Sequence, residues 1–394
     1  MKRFISLMLL LFLMVPCLNA QKKEIAQART YIKSGKNLDK AEQAMRKLLK
    51  DSANRENLKI HAVLCEVMRK QYEETNMKLY LKQKVDSSAM FTLLRNFFLD
   101  CETLDSLDSK PDKKGRIAPR FRQRHASFLS VYRKNLFGGG AYHIRKQKYQ
   151  EAYNLLDTYL SCVNQPLFSG TKIEEDSVAA YWSLYCGYKL QIPEITLKYA
   201  SLALRDTSHL EYALEYLAET YKTLKDSVSY EQTLKDGFRH YSKSPYFFTY
   251  LMDYYNETKK STKALDVVNS ALENDSENEL FLFAKSNLML NLGHYDECIQ
   301  LCDRIIARND SMAESFYNAG VAYINKAFLL ENNVRIDSKT KAAIKKNYQL
   351  SMPYIERYRA LKPDEKDKWG AALYNIYLRL NMGKKFEEID RLLR

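Results

Sequence analysis

The sequence predicts an all-α fold, a solenoid of antiparallel helix pairs, on three observations. The first is a period. A unit that starts at Ser177 is followed by units starting at Glu211, Pro245, Glu279 and Ala313, a constant step of 34 in sequence number. The second is where the recurrent residues fall. Position 4 of the last four units is Leu214, Phe248, Leu282 and Phe316; position 8 is Ala218, Met252, Ser286 and Gly320; position 11 is Tyr221, Tyr255, Met289 and Tyr323. Position 20 holds Thr196, Tyr230, Ala264 and Cys298, and position 27 holds Ala203, Gly237, Ala271 and Ile305. Positions 4, 7, 8 and 11 share one helical face, and so do 20, 24, 27 and 28. Each unit therefore reads as two amphipathic helices that bury their faces on each other and on the next unit. The third is size: 394 residues with 46% apolar content can close such a core without disulfides.

Local segments sharpen this pattern. They are Leu292-Gly293-His294-Tyr295-Asp296-Glu297-Cys298-Ile299, Ala319-Gly320-Val321-Ala322-Tyr323, and Ala360-Leu361-Lys362-Pro363 with Trp369 a short way beyond. A period of 34 with these segments resembles the tetratricopeptide repeat. The chain as a whole resembles exported Bacteroidetes proteins of that family. It departs from the family at position 32, which is Ser208, Ser242, Ser276 and Asp310 where proline is usual, and Lys285 interrupts position 7. The resemblance implies a right-handed superhelical solenoid whose first helices line a concave groove, and a role in protein–protein interaction.

Taken in order, Met1 to Ala20 reads as a secretory signal peptide cleaved after Ala20: a basic start, an apolar run from Phe4 to Val15, then Pro16. A lipoprotein signal with Cys17 as the lipidated residue is the rival reading. The expected location is the periplasm. Residues 21–132 are read as irregular helical repeats: a helix pair through Leu49, one or two helices over Leu58 to Val85, and another over Ser87 to Leu99. A polar loop over 101–119, bounded by Pro111 and Pro119, is the expected mobile insertion. From 133 to 363 the solenoid is expected, starting with a degenerate unit at Arg133 and entering the regular phase over 177–312. Gly138, Gly139 and Gly140 sit at positions 6 to 8 of that degenerate unit, where missing side chains would let a neighbouring helix approach. Counting back from Pro363 places an insertion at about 328–348, with Lys339, Lys341, Lys345 and Lys346 in it. Residues 364–394 read as capping helices, Trp369 to Leu380 and Lys384 to Leu393.

The chemistry that the sequence offers is recognition. The six histidines (61, 125, 143, 209, 240 and 294) show no paired metal spacing. The triple glycine lacks the Gly-Lys-Ser/Thr ending of a phosphate loop. Cys298 and Cys302 occupy repeat positions 20 and 24, where core packing is expected. No catalytic residue, cofactor or metal is therefore expected, and the chain is read as a non-enzyme. Removal of Lys2 and Arg3 takes the net charge from +14 to +12, which favours acidic partners.

The resemblance places positions 2, 5, 9 and 12 of each unit in the groove. The partner-binding residues expected there are Tyr181, Tyr185, Tyr188, Tyr212, Glu215, Glu219, Tyr246, Asp253, Phe283, Asn287 and Tyr317. Tyrosine supplies large contact area at small entropic cost. The expected partner is a protein or peptide segment. The alternatives are an anionic envelope glycan or lipid held by basic patches, or membership of an outer-membrane or secretion assembly; nucleic acid is not expected. Finally, Asp-Ser followed by an apolar residue recurs at Ser52, Ser106, Ser177, Ser227 and Ser311, each read as a loop or helix junction. Helix capping accounts for such a pattern, which also resembles the O-glycan acceptor sequence of exported Bacteroidetes proteins.

Overall fold

A computed structural model describes residues 21–332 and 337–393. The expected signal segment and positions 333–336 of the expected insertion lie outside the described residues. The described residues form helices and no strand: α1 (21–34), α2 (Leu38–Lys50), α3 (Leu58–Tyr80), α4 (Ser87–Asp108), α5 (Arg122–Arg145) and α6 (Tyr149–Ser161) come first. Then follow α7 (Ser177–Leu190), α8 (Pro193–Lys198), α9 (Ala200–Ala203), α10 (Leu210–Thr223), α11 (Ser227–His240), α12 (Pro245–Glu257) and α13 (Ser261–Asn274). The last are α14 (Glu279–Leu292), α15 (Tyr295–Arg308), α16 (Ala313–Glu331), α17 (Ser338–Leu361), α18 (Lys366–Arg379) and α19 (Gly383–Leu393). Among the described residues, no helix is long and apolar enough to cross a membrane.

The period has a backbone cause. Gln191, Lys225, Lys259 and Gly293, all at position 15, take the left-handed conformation with φ of 57°, 57°, 55° and 81°. In the same turns, the carbonyls of Gly187, Tyr221, Tyr255 and Met289 at position 11 accept from the N–H groups of Ile192, Asp226, Lys260 and His294. These bonds, of 3.0, 3.0, 2.8 and 2.9 Å, close the C-terminus of each first helix and turn the chain into the second. Gln147 (φ 56°) and the Lys148–His143 bond repeat the device in the degenerate unit.

The chain divides into two compact units, Met1–Tyr230 and Glu231–Arg394. In the first, consecutive helices from α2 to α7 pack pairwise around Met45, Met68, Phe97, Phe98, Leu129 and Leu156, all fully buried. A Cβ added at Gly139 would lie 2.7 Å from Phe91, and one at Gly140 2.7 Å from Leu156, so these two glycines do admit close neighbours. Gly138 meets open space.

Three expectations for this unit need correcting. The loop expected from 101 is helical through Asp108, because Leu104 continues the apolar face and is buried. What remains of it is clasped at both ends. Asp108 accepts from Arg120 at 2.9 and 3.0 Å, and Asp105 takes a two-pronged contact from Arg122 at 2.8 and 2.9 Å. The boundary expected between 132 and 133 falls inside α5, where Arg133 is buried over the Tyr159 ring, 3.9 Å from its centroid, and donates to the Tyr159 carbonyl. Ser106, read as a junction residue, lies within α4.

In the second unit, α12 to α19 pack in sequence. The residues around the expected insertion lengthen two helices: α16 has 19 residues and α17 has 24, against 14 in α14 and in α15. The pair closes through Gly320, where an added Cβ would sit 2.4 Å from Ile355, and through the Ser351 hydroxyl, which donates to the Gly320 carbonyl at 2.7 Å. Cys298 and Cys302 are fully buried in the core. Trp369 is buried in α18, and its indole N–H donates to the Lys362 carbonyl at 3.1 Å.

Candidate partner-binding surface

In the first unit, the start of α6, α7, the cap residue His209 and the first half of α10 place eight rings in a continuous chain. Spacings of three and four residues put Tyr181, Tyr185 and Tyr188 on one side of α7. Tyr188 stacks on Tyr216, with centroids 4.3 Å apart and planes 21° from parallel. Tyr185 meets Tyr149, Trp182 and Tyr216 at 5.9, 5.6 and 5.8 Å. Tyr212, 53% exposed, lies 6.5 Å from Tyr216 at the open edge.

Tyr181 has a different role from the one expected. It is buried and stacks on the His209 ring at 4.3 Å, while Asp206 holds His209 Nδ1 at 2.6 Å. Its phenol is a foundation of the cluster rather than part of its surface. Burial pushes the Tyr185 hydroxyl up to about 12 and raises that of Tyr216, so both rings remain neutral phenols at physiological pH. Glu215 is half-buried, and burial together with the nearby Glu211 raises its carboxyl above the ordinary range. Beside Tyr188, a cleft of about 490 Å³ opens between Gln191, Pro193, Thr196, Glu219 and Thr223.

Position counting misses Tyr149, Trp182, His209 and Tyr216. A signal for two of them exists: Trp182 and Tyr216 both occupy position 6, one helical turn from positions 2 and 9.

The second unit carries the remaining expected residues without joining them in the same way. Tyr246 pairs with Tyr250 at 4.5 Å, Asp253 is exposed and Phe283 is half-buried. Asn287 is already engaged, since its side-chain oxygen accepts from Asn318 at 2.5 Å. Tyr317 lies 5.0 Å from Tyr358.

Three of the five Asp-Ser sites are helix caps in which the aspartate is the acceptor. Asp51, Asp176 and Asp226 receive the N–H groups of Ala53, Ala179 and Ser229. Ser52, Ser106, Ser227 and Ser311 are exposed and Ser177 is half-buried. The Ser311 hydroxyl donates to Asn309 at 2.6 Å.

Away from the ring cluster, one group of potential metal ligands comes together among the described residues. The sulfurs of Cys65 and Cys101 and a ring nitrogen of His125 all lie within 4.8 Å of one another.

No protein-family model matches the chain, and no curated protein matches it. Among solved structures, the chain is similar to YrrB, a tetratricopeptide-repeat protein with an unusual peptide-binding site, at 17% identity and a TM-score of 0.35, over 48% of this chain and 88% of that one. It is also similar to a tetratricopeptide-repeat protein from Bacteroides fragilis, at 15% identity and a TM-score of 0.32, over 64% of this chain and 97% of that one. A third is the C-terminal part of a repeat protein from Cytophaga hutchinsonii, at 9% identity and a TM-score of 0.42, over 65% of this chain and 95% of that one. The fold assignment rests on this chain itself. Its helix pairs recur with the period of 34, and those that begin at Ser177, Glu211, Pro245 and Glu279 are closed by the same left-handed turn at position 15, which makes it an all-α protein of tetratricopeptide-like helix pairs.

Proposed function

We propose that the chain is a non-enzymatic interaction scaffold of the cell envelope, and that α7 and α10 present an aromatic surface to a segment of a partner protein. The observation that carries this reading is the exposure of Tyr212 at the edge of a ring chain whose other members are anchored by burial and stacking. Rings held in place lose little freedom on binding, and aromatic anchors of this kind dominate interface energies. The half-buried Glu215 and Glu219 beside them would favour a segment with basic or amide groups. The Asp-Ser serines, exposed at four of five sites, are proposed O-glycan acceptors on the same envelope reading.

The test is crosslinking capture by the tagged chain from envelope extract, read by mass spectrometry, with Tyr212→Ala and Tyr188→Ala as variants. A partner whose affinity falls at least tenfold in each folded variant supports the reading; unchanged recovery overturns it. A second reading follows from Lys339, Lys341, Lys345 and Lys346, all exposed on the first half of α17. Such a stripe suits an anionic glycan or lipid surface, and binding through it would weaken steeply with salt.

A further inference from the structure

Helices α3, α4 and α5 bring three donors to one buried point. Cys65 lies in the first half of α3, Cys101 in the last third of α4, and His125 in the first turn of α5. The two sulfurs and the histidine ring nitrogen are mutually within 4.8 Å. Donors on one ion, with metal–sulfur bonds of about 2.3 Å and metal–nitrogen bonds of about 2.0 Å, stand roughly 3.5–3.8 Å apart. A contraction of about an ångström in side-chain rotamers therefore closes the set.

Two features argue for a ligand here rather than for plain packing. Cys65 and Cys101 are 1% and 0% exposed and their sulfurs lie within 4.8 Å of each other, where facing aliphatic side chains would fill the space without a polar atom. The histidine, moreover, is pre-positioned. Its ring stacks on Phe121 at 5.9 Å and 17°, the Phe121 N–H donates to Asp108 at 3.3 Å, and the Arg122–Asp105 fork fixes the turn of α5 that carries it. Packing of this sort holds the ring in place before an ion arrives. The other buried cysteines differ: Cys162 and Cys186 belong to no such group, and Cys298 with Cys302 has no third donor among the described residues.

We propose that Cys65, Cys101 and His125 form a zinc site that staples α3, α4 and α5 together. Uptake of Zn²⁺ releases the two thiol protons to solvent, and two thiolates with one divalent ion and a neutral imidazole leave the buried site without net charge. A neutral site avoids the cost of burying an unpaired charge.

The test uses the full chain, reduced and metal-free, titrated with Co²⁺ as a spectroscopic stand-in for zinc. The expected result is a thiolate-to-cobalt absorption band that saturates at one equivalent and is abolished by one equivalent of Zn²⁺. Cys298→Ser/Cys302→Ser should retain the band, Cys65→Ser and Cys101→Ser should lose it, and His125→Ala should weaken uptake at least tenfold. Absence of the band, or its survival in Cys65→Ser, overturns the proposal. So does uptake of Cu⁺ alone, or a reduced protein that ignores Co²⁺ and forms a Cys65–Cys101 disulfide on air oxidation. Because the variants could fail to fold, X-ray absorption of the zinc-loaded unmodified chain gives an independent reading: a shell with two sulfurs is expected, and a shell of nitrogen and oxygen alone rejects the site.

Discussion

The helices from α4 to α5 and the repeats from α7 to α15 solve the same problem by different means. In the repeats, each hairpin closes through apolar positions and one recurrent backbone device: a left-handed residue at position 15 and a bond from position 16 back to position 11. Between α4 and α5 no such turn exists. There the chain crosses residues 109–121 and is returned by carboxylates, Asp105 and Asp108, clamped on Arg122 and Arg120. A periodic structure distributes its stability over many similar contacts. An aperiodic one concentrates it in a few polar contacts that tolerate no loss.

The largest effect should follow from breaking the clamp. Asp105→Ala leaves the guanidinium of Arg122, itself three-quarters buried, without its carboxylate and with only the Ser109 hydroxyl to receive it, and removing half of a buried pair costs about 3–4 kcal/mol. Urea unfolding should show that loss, and amide hydrogen exchange should locate it in α4 and α5. A loss spread evenly over both units would mean that the clamp is no local device.

The counterpart in the repeats is steric. A Cβ at Gly187 would lie 2.4 Å from the backbone nitrogen of Thr196, which has no rotamer by which to yield. Gly187→Ala should destabilise by about 2–3 kcal/mol, the usual cost of overpacking; a shift in denaturation midpoint below a few tenths of a molar would refute that contact.

A smaller effect has the opposite sign. Burial raises the Glu102 carboxyl in α4 from its ordinary 4.5 to about 7, and one of its oxygens has no hydrogen-bond partner among the described residues. The folded chain thus holds this proton more tightly than the unfolded chain does. The penalty is absent below about pH 4.5, grows as pH rises, and is complete above about pH 7. Glu102→Gln should therefore stabilise by about 1–2 kcal/mol at pH 8 and by nothing at pH 4. Thermal midpoints across that range decide the matter.

The smallest effect tests the turn. Lys259 adopts φ 55°, a conformation that glycine enters without strain, as Gly293 does one repeat later. Lys259→Gly should gain about 0.5–1 kcal/mol, whereas the same change at an ordinary helix position would lose as much. Calorimetry of the two variants side by side would separate these signs.

The repeats are legible because their rule is local. Residues spaced three and four apart declare a face, and the period of 34 declares the stacking. The site is legible only as a face. Position counting selects Tyr185, Tyr188 and Tyr212, but it cannot show that Tyr181 is covered by His209 or that Asn287 is spent on Asn318, because those partners lie on neighbouring helices. The sequence understates the length of α4 because Asp105 and Asp108 read as loop residues until their arginines are in view. Cys65, Cys101 and His125 come from three helices and lie far apart along the chain, in a spacing that belongs to no motif.

The long hairpin of α16 and α17 has one more consequence. A strictly repeating stack presents the same face at every period, so a partner could dock one step up or down the ladder at little difference in energy. With 19 and 24 residues, this hairpin has no twin one step away among the described helices. It breaks the translational symmetry of the second unit, so that a segment laid across it would have one register and no equivalent neighbour.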